Sequence, residues 1–423
     1  MSHAPRPDAE PLGVERVSPG QERAARLTGY ATFILIGWTG LLVPSLIRSL
    51  EHDLNQTDAG IGVFYFVYAV GYALGSFAGG FLTERFGRHA VLTLGAAAHG
   101  VGLIALGLSP GWSVFLVLAA PTAFGAGVID GGMNGLFLDL FATGRGRALN
   151  NLHLFFGVGA LAAPLTIGLL TEVGLDWRPI IAGTGVAAGL LAVAIYRLHI
   201  PSGRRRVVAE PGPAEALPGP VVARPTAARS LGLRRSIPLL ILGFAIAAYV
   251  ASEIGVSNWL VRFLEDAPLV LATASLSLFW GGLAIGRLVS ARVSDRFEHA
   301  RFAATAAGIA ALALVGAVLI PSLPLSIALF ALVGFAYGPV FPLIVVVGGE
   351  RYPTRASTVS GILVGLAVVG GIIYPPAMGF ISVSFGLSVA MLGAAAMSGA
   401  CALALLLVTR LRTDPVRVTT PEA

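Results

Sequence analysis

Twelve stretches of about twenty mostly apolar residues run through this chain, near 28–48, 60–82, 90–109, 113–136, 150–170, 179–198, 237–262, 272–290, 302–320, 325–347, 358–380 and 387–409. Each is long enough to cross the hydrocarbon core of a bilayer as a helix. In lipid the backbone must satisfy its own hydrogen bonds, and single segments of this length do so only as α-helices. The expected fold class is therefore an all-α membrane protein with twelve transmembrane helices. Charged residues make up only 12% of the 423, about half the share of an ordinary soluble domain. The 54 glycines suit helices that approach closely in lipid, where small side chains let backbones touch.

Orientation follows from the basic residues, all 28 of which are arginine. With the N-terminus in the cytoplasm, 23 of them fall in cytoplasmic loops and tails, and only Arg48, Arg178 and Arg262 fall on the other side. Excess arginine in cytoplasmic segments is the positive-inside pattern. Both termini are thus expected in the cytoplasm, with the chain in the cytoplasmic membrane. The net charge of +6 then reflects topology, and nothing points to a nucleic-acid partner. The single cysteine, Cys401, excludes an intramolecular disulfide framework and a cysteine-based metal cluster. No cofactor, no metal and a monomer are expected.

The chain divides in two. Residues 1–26 read as a disordered cytoplasmic tail, 27–198 as one six-helix bundle, 199–235 as a polar linker, 236–410 as a second bundle and 411–423 as a tail. The turn after the second span of each half repeats a pattern: GGFLTERFGRHA at 79–90 and SARVSDRFEHAR at 290–301. Repeated halves, with a site between them near the midplane, mark secondary transporters.

The motif Gly80-x-x-x-Glu84-Arg85-x-Gly87-Arg88 resembles the loop signature of the major facilitator superfamily. The usual form has Asp where Glu84 stands and a second base where His89 stands. The second copy carries Ala291, Glu298 and His299 where the family usually has Gly, Gly and a base. The stretches VIDGGMN, HLFFGVGALAAP, SEIGVSNWL and FWGGLAIGRL resemble the fucose and glucose proton-symporter branch. That resemblance implies two pseudo-symmetric six-helix bundles, the major facilitator fold, working by alternating access. One departure stands out: the fucose branch has an acid in its first span, whereas here Gly40 lies near that point and the apolar run has none.

Two carboxylates lie deep in the spans, Asp130 and Glu253. An ionised acid near the bilayer centre costs about 2.5–3.5 kcal/mol on insertion scales, so intramembrane acids are functional by default. Proton coupling needs a group that binds and releases a proton inside the membrane, and a desolvated carboxylate is suited to it. Asn134 follows Asp130 by one turn on the same face. The resemblance associates an acid at this point of the fourth span with coupling. The alternative is a structural hydrogen bond to a neighbouring helix. Tyr249 and Ser257 lie one turn to either side of Glu253, a face that suits hydroxyl-rich ligands. Asn258 and Trp259 join that face if Gly255 breaks the helix. A structural pair with Arg287 is the competing role for Glu253.

Further candidates for the substrate site are Trp38 and Thr39 in the first span, His153 in the fifth and Trp280 in the eighth. His153 can relay protons, though its place near the span's end fits interface packing equally. Trp280 offers a platform for a sugar ring, or packs beside the helix-contact motif Gly282-x-x-x-Gly286. Tyr65, Tyr68 and Tyr72 form a stripe that reads first as core. Gly80, Glu84, Arg85, Gly87, Arg88, Asp295 and Arg296 form a gating class, expected to latch the bundles in one state and part in the other.

The resulting expectation is a proton-coupled importer of a sugar or similar small polar solute, with sodium as the other possible ion. A proton-antiport exporter of drugs or metabolites is the rival within transport. A Gly-Pro step in the fifth span would favour that rival, and GVGALAAPLTIG lacks it. A non-transporting sensor is the reading from another class. No enzyme is expected, since no nucleotide loop, metal cluster or nucleophile–base pattern stands out.

Overall fold

The computed structural model describes residues 19–141, 145–198 and 233–411. Among them the chain is all-α, and twelve segments are long and apolar enough to cross a membrane. The first span is a broken pair, α1 (Pro19–Gly40) and α2 (Leu42–Asp53). The next five are α3 (Asp58–Phe86), α4 (Arg88–Gly107), α5 (Trp112–Leu140), α6 (Arg145–Glu172) and α7 (Trp177–Arg197). The second half comprises α8 (Leu233–Phe263), α9 (Leu269–Val293), α10 (His299–Leu319), a second broken pair α11 (Leu323–Tyr337) and α12 (Val340–Arg351), α13 (Ala356–Phe385) and α14 (Leu387–Arg410). Because the spans alternate in direction, α1 and α14 bring the described ends of the chain to one side, here the terminal face. The turns at 54–57, 173–176 and 264–268 lie on the opposite, far face.

Two boundaries differ from expectation. Helix α1 starts at Pro19, so 19–26 is helix and not tail, stabilised by an Arg26–Glu22 pair one turn apart at 2.5 Å. Helix α8 starts at Leu233, inside the expected linker. The rest of that linker, with residues 1–18 and 412–423 of the tails, lies outside the described residues.

Both broken spans carry the same local cause. Pro44 lacks the N–H that would bond the Gly40 carbonyl, and its ring crowds that carbonyl, so the helix ends at Gly40 and restarts at Leu42. Pro342 stands in the same relation to Gly338, between α11 and α12. Pro339 lies in the second break itself, at the N-cap of α12, whereas Pro121, Pro164, Pro375 and Pro376 sit within continuous helices. Pro375 and Pro376 leave α13 one helix, and the neighbouring Tyr374 hydroxyl donates to the Ala390 carbonyl at 2.8 Å.

Close backbone approach organises each bundle. A Cβ at Gly127 of α5 would lie 2.1 Å from the Tyr72 carbonyl oxygen, and one at Gly75 of α3 would lie 2.1 Å from that of Phe124. In the second half, a Cβ at Gly286 of α9 would lie 2.0 Å from the Phe335 carbonyl of α11, so Gly282-x-x-x-Gly286 is a packing motif as expected.

The two bundles meet where α3 lies along α13, α6 along α9 and α2 against α8. The bonds and ring contacts that join them cluster in the far-face half. Tyr65 donates to the Asn258 carbonyl at 2.9 Å, the Leu165 amide donates to Ser277 Oγ at 3.0 Å, and Phe156 meets Trp280 with ring centroids 5.9 Å apart. Toward the terminal face, His153 on α6 and Arg287 on the facing α9 are exposed. The molecule is closed at the far face and open at the terminal face.

The glycine contacts make a stability prediction. Gly127→Val overpacks the α3–α5 contact, costing about 1–3 kcal/mol, and lowers the thermal midpoint of the purified protein. Gly183→Ala, whose Cβ meets nothing within 4 Å, leaves the midpoint unchanged. Equal midpoints for the two variants, read by scanning fluorimetry, would refute the packing account.

Candidate translocation site

Asp130 lies ten residues from the terminal-face end of α5, and Glu253 ten from the far-face end of α8. At 1.5 Å per residue each is about 15 Å deep, the middle of a core roughly 30 Å thick. The two acids sit in different bundles and in different surroundings.

Asp130 is half-buried among neutral groups. Asn134 Nδ2 donates to its backbone carbonyl at 3.0 Å and to its Oδ1 at 3.1 Å. The Tyr72 hydroxyl on α3 approaches the same carboxylate. Gly127 and Gly131 bring α3 this close, since a Cβ at Gly131 would lie 2.7 Å from the Ser76 carbonyl oxygen. Asn134 Oδ1 is buried and has no partner, so the cluster keeps one open acceptor. Tyr72, expected as core, therefore belongs with Asp130.

Glu253 is buried, and Tyr249 reaches its carboxylate from one turn away while lying 3.2 Å from the Tyr337 carbonyl oxygen. Arg287 on α9 acts on Glu253 through space without forming an ion-pair contact, and it also faces His153 across the bundle gap. The His153 ring stands edge-on to Phe33 at 5.2 Å. Ser257, one turn further along α8, accepts a hydrogen bond from Trp280 Nε1 at 2.9 Å. Trp280 and Phe156 then close the floor of the gap on the far-face side. An acid, an arginine, a histidine and an aromatic floor thus gather where α6, α8 and α9 face one another at the midplane.

Other expected residues sit elsewhere. Helix α8 does not break at Gly255, because that glycine packs against Met378 and Tyr374 of α13, leaving no room for the chain to turn. Trp259 is consequently buried, its Nε1 donating to the Pro375 carbonyl at 2.8 Å and its ring meeting Tyr65 at 5.6 Å. Asn258 offers its backbone carbonyl to Tyr65. Both belong to the far-face closure and not to the midplane space. Trp38 Nε1 donates to Thr184 Oγ1 of α7 at 3.1 Å, so the indole is tied into its own bundle. The Thr39 hydroxyl donates to the Ile36 carbonyl at 3.1 Å and is approached by Tyr68.

The gating residues are separated in this state. Arg88 pairs at 2.6 Å with Asp139 of its own bundle. Glu84, Arg85, Asp295 and Arg296 are exposed, and Arg85 lies over the Phe86 ring. Gly87 has φ of 86°, a left-handed turn that glycine adopts readily, and caps α4; Gly80 has open space around it. His299 binds Glu350 at 2.7 Å within the second bundle.

Sequence reasoning assigned no role to a charged cluster on the far face. Arg48, Glu51, Asp58 and Arg262 converge there from α2, α3 and α8. The available signal was that Arg48 and Arg262 break the positive-inside pattern.

The description "Major Facilitator Superfamily" matches residues 28–367 and, in a second alignment, 276–423. The chain is 22% identical to the glucose/mannose transporter GlcP of Bacillus subtilis, over 83% of this chain and 86% of that one. A bacterial homologue of the human lysosomal transporter Spinster, in an inward-facing and occupied conformation, matches with a TM-score of 0.76 at 16% identity, covering 93% and 98% of the two chains. A D-xylose-proton symporter matches with a TM-score of 0.71 at 14% identity, covering 90% and 97%.

The buried tryptophans separate packing from binding. Trp259→Phe removes an interhelical bond, a loss of about 0.6–2 kcal/mol, and lowers the thermal midpoint without changing ligand-induced stabilisation. Trp280→Phe also removes an interhelical bond, to Ser257, and is expected to cut ligand-induced stabilisation as well. The opposite pattern in a thermal-shift titration would exchange their roles. Twelve spans among the described residues and a family match over most of the sequence lead to one conclusion: this chain is a transporter of the Major Facilitator Superfamily and not an enzyme.

Proposed function

We propose that this protein imports a sugar or a similar small polar solute by proton symport, working by alternating access with both termini in the cytoplasm. The observation that carries the reading is one acid per bundle at the midplane. Asp130 is held by neutral donors alone, and Glu253 stands among hydroxyls and an aromatic floor. An acid without a cation partner crosses the low-dielectric stage of a transport cycle at least cost when protonated. Asp130 is therefore the proton carrier. The Glu253 face, with Tyr249, Ser257 and Trp280, offers the hydroxyl acceptors and ring surface that a sugar needs. A glucose/mannose transporter among the relatives and a D-xylose-proton symporter of like fold agree with this solute class.

In this reading the state described is inward-facing. Closing the terminal face brings the loops of Glu84-Arg85 and Asp295-Arg296 together, where the gating residues latch. Each such pair at the water boundary is worth about 0–1 kcal/mol, weak enough to break in every cycle. One proton crossing 100 mV supplies about 2.3 kcal/mol, or roughly 50-fold accumulation.

Proteoliposomes test the proposal. Purified protein should take up labelled glucose or xylose faster under an inward proton gradient, and replacing sodium by choline should change nothing. Asp130→Asn should abolish gradient-driven accumulation while retaining solute exchange at equal pH. Glu253→Gln should weaken exchange at least tenfold. Uptake indifferent to the gradient in the unaltered protein would refute proton coupling, and exchange of neither sugar would refute the solute class.

A further inference from the structure

The far-face closure is built from two arginines placed reciprocally. Arg48, on α2 of the first bundle, donates from Nε to the Val261 carbonyl at 3.0 Å, from Nη1 to that of Ala267 at 2.9 Å, and from Nη2 to that of Leu264. It thereby caps the C-terminal end of α8 in the second bundle, where unpaired carbonyls and the helix dipole favour a cation. Arg262, on that same end of α8, reaches back. Its Nε lies 2.8 Å from Glu51 Oε2 of α2 and 3.0 Å from Asp58 Oδ1 of α3. It also pairs with Glu265 in the following turn. Ser382 of α13 donates to Asp58 Oδ2.

Two carboxylates thus converge on one N–H, which has a single hydrogen to give. The Glu51 and Asp58 side chains lie within hydrogen-bonding reach of each other, and Glu51 Oε1 is buried with no partner. In this closed state the Arg262 cation holds the two acceptors side by side. Charged and titratable groups facing the pair are Arg48 on α2, Tyr65 on α3, Arg262 on α8, and Glu265 with Asp266 in the turn after it. Among the described residues Arg262 is the one cation in contact with both acids, and it belongs to the opposite bundle.

We propose that Glu51 and Asp58 form a proton-binding gate at the far face, separate from the midplane acids, which takes up a proton when the bundles part there. Opening withdraws Arg262 from both carboxylates. Two like charges then remain side by side without their cation, and a shared proton relieves the repulsion. By linkage, acid at the far face favours the state open to that face. The proposal stands apart from the identity of the solute and from the roles given to Asp130 and Glu253.

Distances between spin labels on Glu172→Cys and Ser384→Cys, in full-length Cys401→Ala protein in nanodiscs, report the far-face opening. Lowering pH from 8 to 5.5 should raise the open population at least threefold. Glu51→Gln with Asp58→Asn should abolish that response, whereas Asp130→Asn with Glu253→Gln should keep it. Arg262→Gln should be open at both pH values. A response that survives in the Glu51/Asp58 variant, vanishes in the Asp130/Glu253 variant or is missing from the unaltered protein overturns the proposal. Glu51→Gln alone, nearly isosteric, serves if the double variant does not fold, and an unchanged response in it is equally fatal.

Discussion

The bilayer offers no hydrogen-bonding partner to a peptide group, and this constraint governs every feature of the molecule. It forces helices, and it restricts breaks to places where protein or a polar space receives the freed groups. The two broken spans obey it. Each is interrupted by a proline four residues after a glycine, Pro44 after Gly40 and Pro342 after Gly338. The first break stands beside Thr39 and the second against the backbone of Arg287. The second break is thus received by protein, Gly338 lying against the backbone of Gly286 and Arg287.

Within each bundle the helices approach until backbone touches backbone, as at Gly75, Gly127 and Gly286. Between bundles such contacts recur, Gly62 of α3 against the Pro376 carbonyl and Gly379 of α13 against that of Asp58. Side-chain hydrogen bonds, ring edges and ion pairs accompany them. The charged contacts named above between the bundles lie at the far face, where each depends on groups from both halves.

The midplane acids show how similar sequence signals acquire different meanings. Both read as costly charges in apolar runs. Packing gives Asp130 an amide and a phenol, and gives Glu253 a phenol with an arginine at a distance. An acid with only neutral partners and an acid near a cation differ in what each demands of a proton or a solute. The far-face pair adds a third situation, two acids held by one arginine from the other bundle.

The number of spans, their two-fold repetition and the two intramembrane carboxylates were legible in the sequence, because transfer into lipid is a local, nearly additive property of each segment. The loop motif was legible for the same reason: Gly87 has the left-handed turn such a junction uses. Where Trp259 points was not, since that depends on Met378 and Tyr374 filling the space beside Gly255. Nor was the clasp of Arg48 and Arg262, whose partners include groups some two hundred residues away. Which face is closed is likewise a tertiary matter. It is set by contacts between two bundles far apart in the sequence, and no single segment carries that balance.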